Sequence, residues 1–266
     1  MLTPFGAAGL LGAIQGLATF LPISSTGHLA LLQILFRGGP SPAELGALHA
    51  GTLVAMLVVL RRQIFAAASS AVSLFRRSGA ASGADALFVV VGIGPAAAVA
   101  GLLHDTARRF AASPLAVAFG LLVTGAVLVA SRSAPAGMRD HPSLAQTLVL
   151  GAALGAGVLP GVSGTAATVA LALLFGVRRV RAFELSMLLL VPMELAASLS
   201  ATEGGRGMRE LTLLFVCAAT AFLTGALGLR VLRRSLIRGF FPLFALWVVP
   251  LAFATAALAW AWPLRV

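Results

Sequence analysis

The chain has 266 residues, 59% of them hydrophobic and only 10% charged, with a mean hydropathy of +1.01 and a formal net charge of +11. A soluble domain carries about 25% charged residues, so the composition excludes a water-solvated globule and predicts an all-α polytopic membrane protein of one domain. All 19 basic residues are arginine, set in short segments between apolar runs, which fits membrane orientation rather than nucleic-acid binding, and the lone Cys217 excludes an internal disulfide framework or thiolate metal site.

The first apolar stretch, FGAAGLLGAIQGLATF, has neither a basic flank nor a small-residue cleavage site, and no removable signal peptide is expected. Residues 5–36 are apolar but interrupted by LPISSTGH, where Pro22 removes a backbone donor and pushes its predecessor out of helical space. Spans long enough for a hydrocarbon core of roughly 30 Å follow at 45–60, 84–103 and 114–131. A second interrupted segment, 144–177, breaks at LPGVSGTAAT, and three more spans follow at 182–200, 211–229 and 239–262. Each interrupted segment reads as two half-helices meeting at a re-entrant turn.

The stretches GAIQGLATFLPISST (12–26) and GAALGAGVLPGVSGT (151–165) share a G-A-x-x-G start, a Leu-Pro break and a hydroxyl-rich exit, with a one-residue shift on either side of the proline. They indicate an internal repeat with units 1–135 and 143–266. Three crossings after each re-entrant segment leave the second unit inverted, a plan that brings broken helices together near the bilayer midplane. On this topology Arg61, Arg62, Arg76, Arg77, Arg132, Arg139, Arg178, Arg179, Arg181, Arg230, Arg233, Arg234 and Arg238 share one side, and Arg37, Arg108, Arg109, Arg206, Arg209 and Arg265 the other. The richer side is expected to be cytoplasmic, with both termini external.

Non-helical backbone at membrane depth must be buried in protein or line a polar cavity. Half-helices beginning after Pro22 and Gly161 would aim free N–H groups and positive dipole ends into a shared cavity, with hydroxyls from Ser24, Ser25, Thr26, Ser163, Thr165 and Thr168. That combination suits a phosphate-like anion. Serine and threonine at helix starts also act as caps. His28, three residues after Ser25, can share its helix face and supply a base to a nucleophile.

At these residues the chain resembles the undecaprenyl-diphosphate phosphatase family, also called the bacitracin-resistance proteins. The resemblance runs through LPISSTGHL (21–29), LHAGTLVAMLVVLRRQIF (48–65), GIGPAAAVAGLLHDTARRF (92–110), LPGVSGTAAT (159–168) and FELSMLLLVPM (183–193). It implies a membrane hydrolase that removes the terminal phosphate of a polyprenyl diphosphate during lipid-carrier recycling for cell-wall synthesis, in the bacterial inner (plasma) membrane. Ser25 then falls on the family's proposed nucleophile and His28 on its base or phosphate ligand. Ser24, Thr26 and Gly27 complete that motif, and Pro160, Gly161, Ser163, Thr165 and Thr168 belong to the phosphate-cradling one.

The chain departs from the family pattern at three charges. Gln15 and Thr19 replace two motif glutamates, and Gly164 replaces a motif arginine. The resemblance implies a divalent cation, Mg or Ca, yet both glutamates that would hold one are missing. Glu194, well inside a span, is a candidate substitute, since an intramembrane carboxylate is expensive and functional by default. His49 can line the same cavity; Glu184 reads as an ion-pair partner of the nearby arginines, and His104 and Asp105 as helix-end caps. The alternative is a catalytically impaired relative that binds or translocates polyprenyl phosphate, or an accessory protein that binds without turnover. Expected partners are a polyprenyl diphosphate or phosphate lipid and the bilayer, with no nucleic acid; a homodimer is compatible with the plan.

Overall fold

Three helices begin at a Ser/Thr-Pro pair, because the hydroxyl satisfies a free first-turn N–H and proline needs none. Thr3 caps α1 (Pro4–Phe20), Ser41 caps α3 (Pro42–Val59) and Ser113 caps α6 (Pro114–Ala130), accepting from Gly6, Glu44 and Ala116 at 3.1, 3.2 and 3.3 Å. The computed structural model describes residues 3–36, 38–75, 83–199 and 207–261, without the side chains of 72–75 and 261. Expectations for Arg37, Arg76, Arg77, Arg206 and Arg265, and for the ends of the spans expected at 182–200 and 239–262, lie outside the described residues.

The remaining helices are α2 (Ser25–Phe36), α4 (Arg61–Phe75), α5 (Ala84–Ala111), α7 (Leu144–Gly155), α8 (Gly164–Leu174), α9 (Arg179–Leu199), α10 (Met208–Arg238) and α11 (Ala245–Ala261). There are no strands among the described residues. Six helices, α3, α5, α6, α9, α10 and α11 with its preceding turn, are long and apolar enough to cross a membrane, and the protein is a multi-pass, all-α membrane protein. The shorter α1, α2, α7 and α8 are the halves of the two interrupted segments. Large apolar side chains such as Leu102, Phe215, Leu246 and Trp260 are exposed on the outside of the bundle, as lipid contact requires.

Two features differ from the sequence reading. The 15-residue α4, RRQIFAAASSAVSLF, starts directly after Leu60 and was not expected, since it is too short and polar for a span. Helices α5 and α10 also run beyond the apolar stretches 84–103 and 211–229, to Ala111 and Arg238. Their arginine-bearing ends are strong helix formers with nothing to break the turn until Gly239, in the left-handed region at φ 79°, closes α10.

Packing follows the paired glycines. On α1, Gly12 and Gly16 meet α10 so closely that an added Cβ would lie 1.9 Å from Thr220 Oγ1 or 2.1 Å from Thr224 Oγ1. On α7, Gly151 and Gly155 meet α5, with the Gly92 and Ala96 carbonyls at 2.2 and 2.3 Å from such a Cβ. Thus the first half-helix of each segment packs on the middle span of the other half of the chain, while α3 packs on α9 and α6 on α11. Small residues that admit close backbone approach drive helix association where lipid supplies no hydrophobic incentive.

All eleven described arginines of the richer group gather at one end. Arg61, Arg62, Arg230, Arg233, Arg234 and Arg238 line one cleft, and Arg132 and Arg179 another. Arg139 bridges to Val177, and Arg178 pairs with Asp140. Arg181 pairs with Asp85 and with Glu184, the latter at 2.7 Å, and Asp85 also holds His141 at 2.7 Å.

Candidate functional site

The two breaks are locked to each other by their own hydroxyls. Ser24 has φ 69°, uncommon for a residue with a side chain, and is held there on several sides. Its Oγ donates to the Val162 carbonyl (3.2 Å) and accepts from Gly27 N–H (3.1 Å), while its carbonyl accepts from His28 N–H (3.2 Å). Thr26 donates to the Leu159 carbonyl (3.3 Å), and Thr165 to the carbonyl of Thr19 (2.8 Å). Ser163 caps α8 by accepting from Ala166 N–H at 3.1 Å. Thr124 of α6, which no sequence motif singled out, donates to the Gly161 carbonyl (2.7 Å) and accepts from Ser163 N–H (2.8 Å). Gly161, at φ 90°, lies against α6 with no room for a side chain.

Between these turns and α3, α5 and α9 lies a cavity of about 230 Å³. Of the expected site residues, Thr19, Ser24, Ser25, Thr26, His49, Ser163, Thr165 and Glu194 line it, together with Gly164. Gly27, Pro160, Gly161 and Thr168 do not; Gly27 packs on Gly161, and Thr168 bonds back to the Gly164 carbonyl at 2.9 Å. The backbone N–H groups of Ser25 and Thr26 on α2, and of Gly164 and Thr165 on α8, have no hydrogen-bond partner among the described residues. Two positive helix ends therefore meet in one cavity with four free donors, an arrangement suited to phosphate oxygens. While the other serines and threonines of the turns are spent on structure, the Ser25 hydroxyl is free of protein partners among the described residues.

The wall opposite carries Glu194, 5% exposed. Its Oε2 accepts from Thr52 Oγ1 (2.5 Å) and from His49 Nδ1 (3.0 Å), both on α3, joining residues 145 positions apart. With Nδ1–H directed at the carboxylate, the imidazole lone pair sits on Nε2, which has no partner among the described residues. Gln15 Nε2 lies 3.4 Å from the same Nδ1, and turning the amide over would present its oxygen to that N–H instead. Thr19 is 7% exposed and its Oγ1 is buried with no partner among the described residues. In a cavity wall such an orphan is a ready contact for a bound polar group.

His28 lies elsewhere. Its Nδ1 bonds the Ser24 carbonyl at 2.8 Å, and its Nε2 accepts from Trp247 Nε1–H at 3.2 Å, with the rings stacked 6.3 Å apart. Both nitrogens are engaged, fixing the neutral Nδ1–H form. The ring does not line the cavity, and the structure does not bring it to the Ser25 hydroxyl as a hydrogen-bond partner.

The described residues do not build a protein cage for a divalent cation: Glu194 is the one carboxylate lining the cavity, and no group of three or more His, Cys, Asp or Glu gathers among them. Mg, which is held elsewhere by one or two carboxylates together with water and substrate phosphate oxygens, would be held here through Glu194. At Gly164 a Cβ would lie 2.8 Å from the Leu154 carbonyl, so the local backbone is also closed to the arginine expected from the motif.

The family model for bacitracin resistance protein BacA matches residues 8–254. A relative from Korarchaeum cryptofilum named undecaprenyl-diphosphatase is 32% identical over 94% of this chain and 97% of its own length. Relatives of the same name from Desulfosudis oleivorans and Rubrobacter xylanophilus are 38% and 33% identical, covering 89% and 94% of this chain and 92% and 97% of their own.

Proposed function

As the chain belongs to the BacA family of bacitracin resistance proteins, we propose that it hydrolyses the terminal phosphate of undecaprenyl diphosphate or a similar polyprenyl diphosphate in lipid-carrier recycling. The observation that carries this reading is the convergence of four free N–H groups, the free Ser25 hydroxyl and the Glu194–His49 pair on one cavity. Its volume of about 230 Å³ is below the roughly 300–1,000 Å³ of sites that enclose whole drug-sized ligands. It takes the diphosphate head and leaves the prenyl chain along the lipid-facing helices.

The chemistry follows from the positions. The α2 and α8 N-termini bind the terminal phosphate. His49 Nε2, oriented by Glu194 on Nδ1, takes the Ser25 proton directly or through one bound water. Ser25 Oγ attacks the terminal phosphorus, and the bond to the bridging oxygen breaks to release polyprenyl monophosphate, which carries off the proton held on His49 Nε2 and leaves the imidazole neutral. Water then attacks the phosphoserine, giving its proton to His49; inorganic phosphate leaves and Ser25 regains its proton. The N–H groups stabilise the oxygens that gain charge in the transition state. His28 is a positioning residue that holds the Ser24 turn against α11.

The contact pattern, in which exchange of the halves maps α1 on α10 to α7 on α5, supports reading 1–135 and 143–266 as inverted twins. The arginine-rich end then faces the cytoplasm of a bacterial inner membrane and both termini lie outside. Glu194 stands fifteen residues along α9 from Arg179, roughly 22 Å at 1.5 Å per residue. The cavity therefore sits beyond the midplane, toward the outer leaflet.

The test is phosphate release from undecaprenyl diphosphate by the purified protein, with and without added divalent metal. Release that vanishes in Ser25→Ala supports the reading. No release above that variant sinks it.

A further inference from the structure

A second, larger cleft, of about 640 Å³, opens where α3 hands over to α4 beside the end of α10. Arg61, Arg62, Arg230, Arg233, Arg234 and Arg238 line it. Among the described residues no carboxylate lines the cleft, and Glu184, next to Phe183 in its wall, is taken by Arg181 at 2.7 Å. The N–H groups of Arg61, Arg62 and Gln63, the first turn of the fifteen-residue α4, have no partner among the described residues and belong to the same wall. So many cations repel one another unless an anion enters, and both the guanidinium fork and the helix start match phosphate oxygens.

The position selects the source of that phosphate. The cleft begins at the last residues of the apolar span α3, Val58 and Val59, which places it at headgroup depth. Exposed apolar side chains, Val54 and Leu57 on α3 and Leu227 and Val231 on α10, continue from its rim along the lipid-facing surface. It is also remote from the first cavity, since Phe183 and Glu194 are eleven residues apart on α9, roughly 16 Å. The geometry points to a binding site for the phosphate of an anionic phospholipid, with its acyl chains lying on α3 and α10. A basic pocket between membrane helices is the usual form of such a site.

The test uses the full chain, purified and placed in nanodiscs of phosphatidylcholine alone or mixed with phosphatidylglycerol. Lipid retained after transfer to detergent is read by native mass spectrometry. The wild type is expected to retain phosphatidylglycerol in preference to phosphatidylcholine. Arg61→Gln/Arg62→Gln and Arg233→Gln/Arg234→Gln, one pair per wall, are each expected to weaken that retention roughly 10-fold or more. Arg108→Gln/Arg109→Gln, with the same charge loss at the other end of the bundle, is expected to leave it unchanged. Helical circular dichroism in phosphatidylcholine checks folding, and either wall alone suffices if the other variant does not fold. Equal retention in cleft and control variants overturns the proposal. So does displacement of phosphatidylglycerol by inorganic phosphate at equal concentration, which would mark a site for the free ion.

Discussion

Replacing Glu194 by Gln isolates the charge at the centre of the cavity. Both hydrogen bonds to this residue, from Thr52 and from His49, end on one oxygen, Oε2. A glutamine of the same shape keeps an oxygen for them and loses only the negative charge. Charge-assisted hydrogen bonds are roughly twice as strong as neutral ones, so the imidazole is held less firmly and its developing positive charge goes uncompensated. General-base help is worth about 10²- to 10⁴-fold. With His49 still in place, the expected loss in kcat is about 10²- to 10³-fold, or about 3–4 kcal/mol in barrier. The effect on KM has the opposite sense. A carboxylate beside a diphosphate repels it, so removing the charge should leave KM unchanged or lower it. The assay is steady-state release of phosphate from undecaprenyl diphosphate, with thermal unfolding run in parallel to show that the fold is intact. A kcat within about 3-fold of the wild type, or a raised KM at unchanged kcat, would refute the reasoning.

His49→Asn should lower kcat by a similar factor, and the double variant with Glu194→Gln should be no worse than the poorer single one, because the two act as a unit; additive losses would contradict this. His28→Leu should reduce thermal stability by about 1 kcal/mol through the lost Nδ1 bond to the Ser24 carbonyl, which keeps the residue-28 N–H, and the lost acceptor for Trp247 N–H, with activity falling in step. A loss of kcat with unchanged unfolding temperature would instead place His28 in the chemistry. Gly161→Ala puts a Cβ 2.3 Å from the Val117 carbonyl at a residue with φ 90°; it should yield little folded protein by size-exclusion chromatography, and a normal yield would show the turn to be freer than described.

Much of the fold was legible because its signals are local. Pro22 and Pro160 announce the breaks, and the helices resume at Ser25 and Gly164. The two G-A-x-x-G stretches are where α1 and α7 touch their partners. Helix α4 was missed because its polar, arginine-led pattern lacks the length of a span, and the helical tails of α5 and α10 because hydropathy marks the lipid boundary rather than the end of a helix. The site was legible only in part. Ser25 and the half-helix starts follow from the motif, and Glu194 from the cost of a charge in lipid. That Glu194 meets His49, 145 residues away, and that His28 meets Trp247, 219 residues away, depends on helix packing that no spacing encodes. Most hydroxyls of the two turns look alike in sequence, yet Ser24, Thr26 and Thr165 tie the breaks together and Ser163 caps α8, while Ser25 is left without a partner among the described residues.

The central claim is that this cavity cleaves a diphosphate although Gln15, Thr19 and Gly164 stand where charges are expected. The most direct measurement is inorganic phosphate released from undecaprenyl diphosphate by the purified wild type, set against Ser25→Ala in the same detergent. Time-dependent release by the wild type is expected, with a rate indistinguishable from the blank for the variant. No release by a folded wild type, or equal release by both proteins, would contradict it.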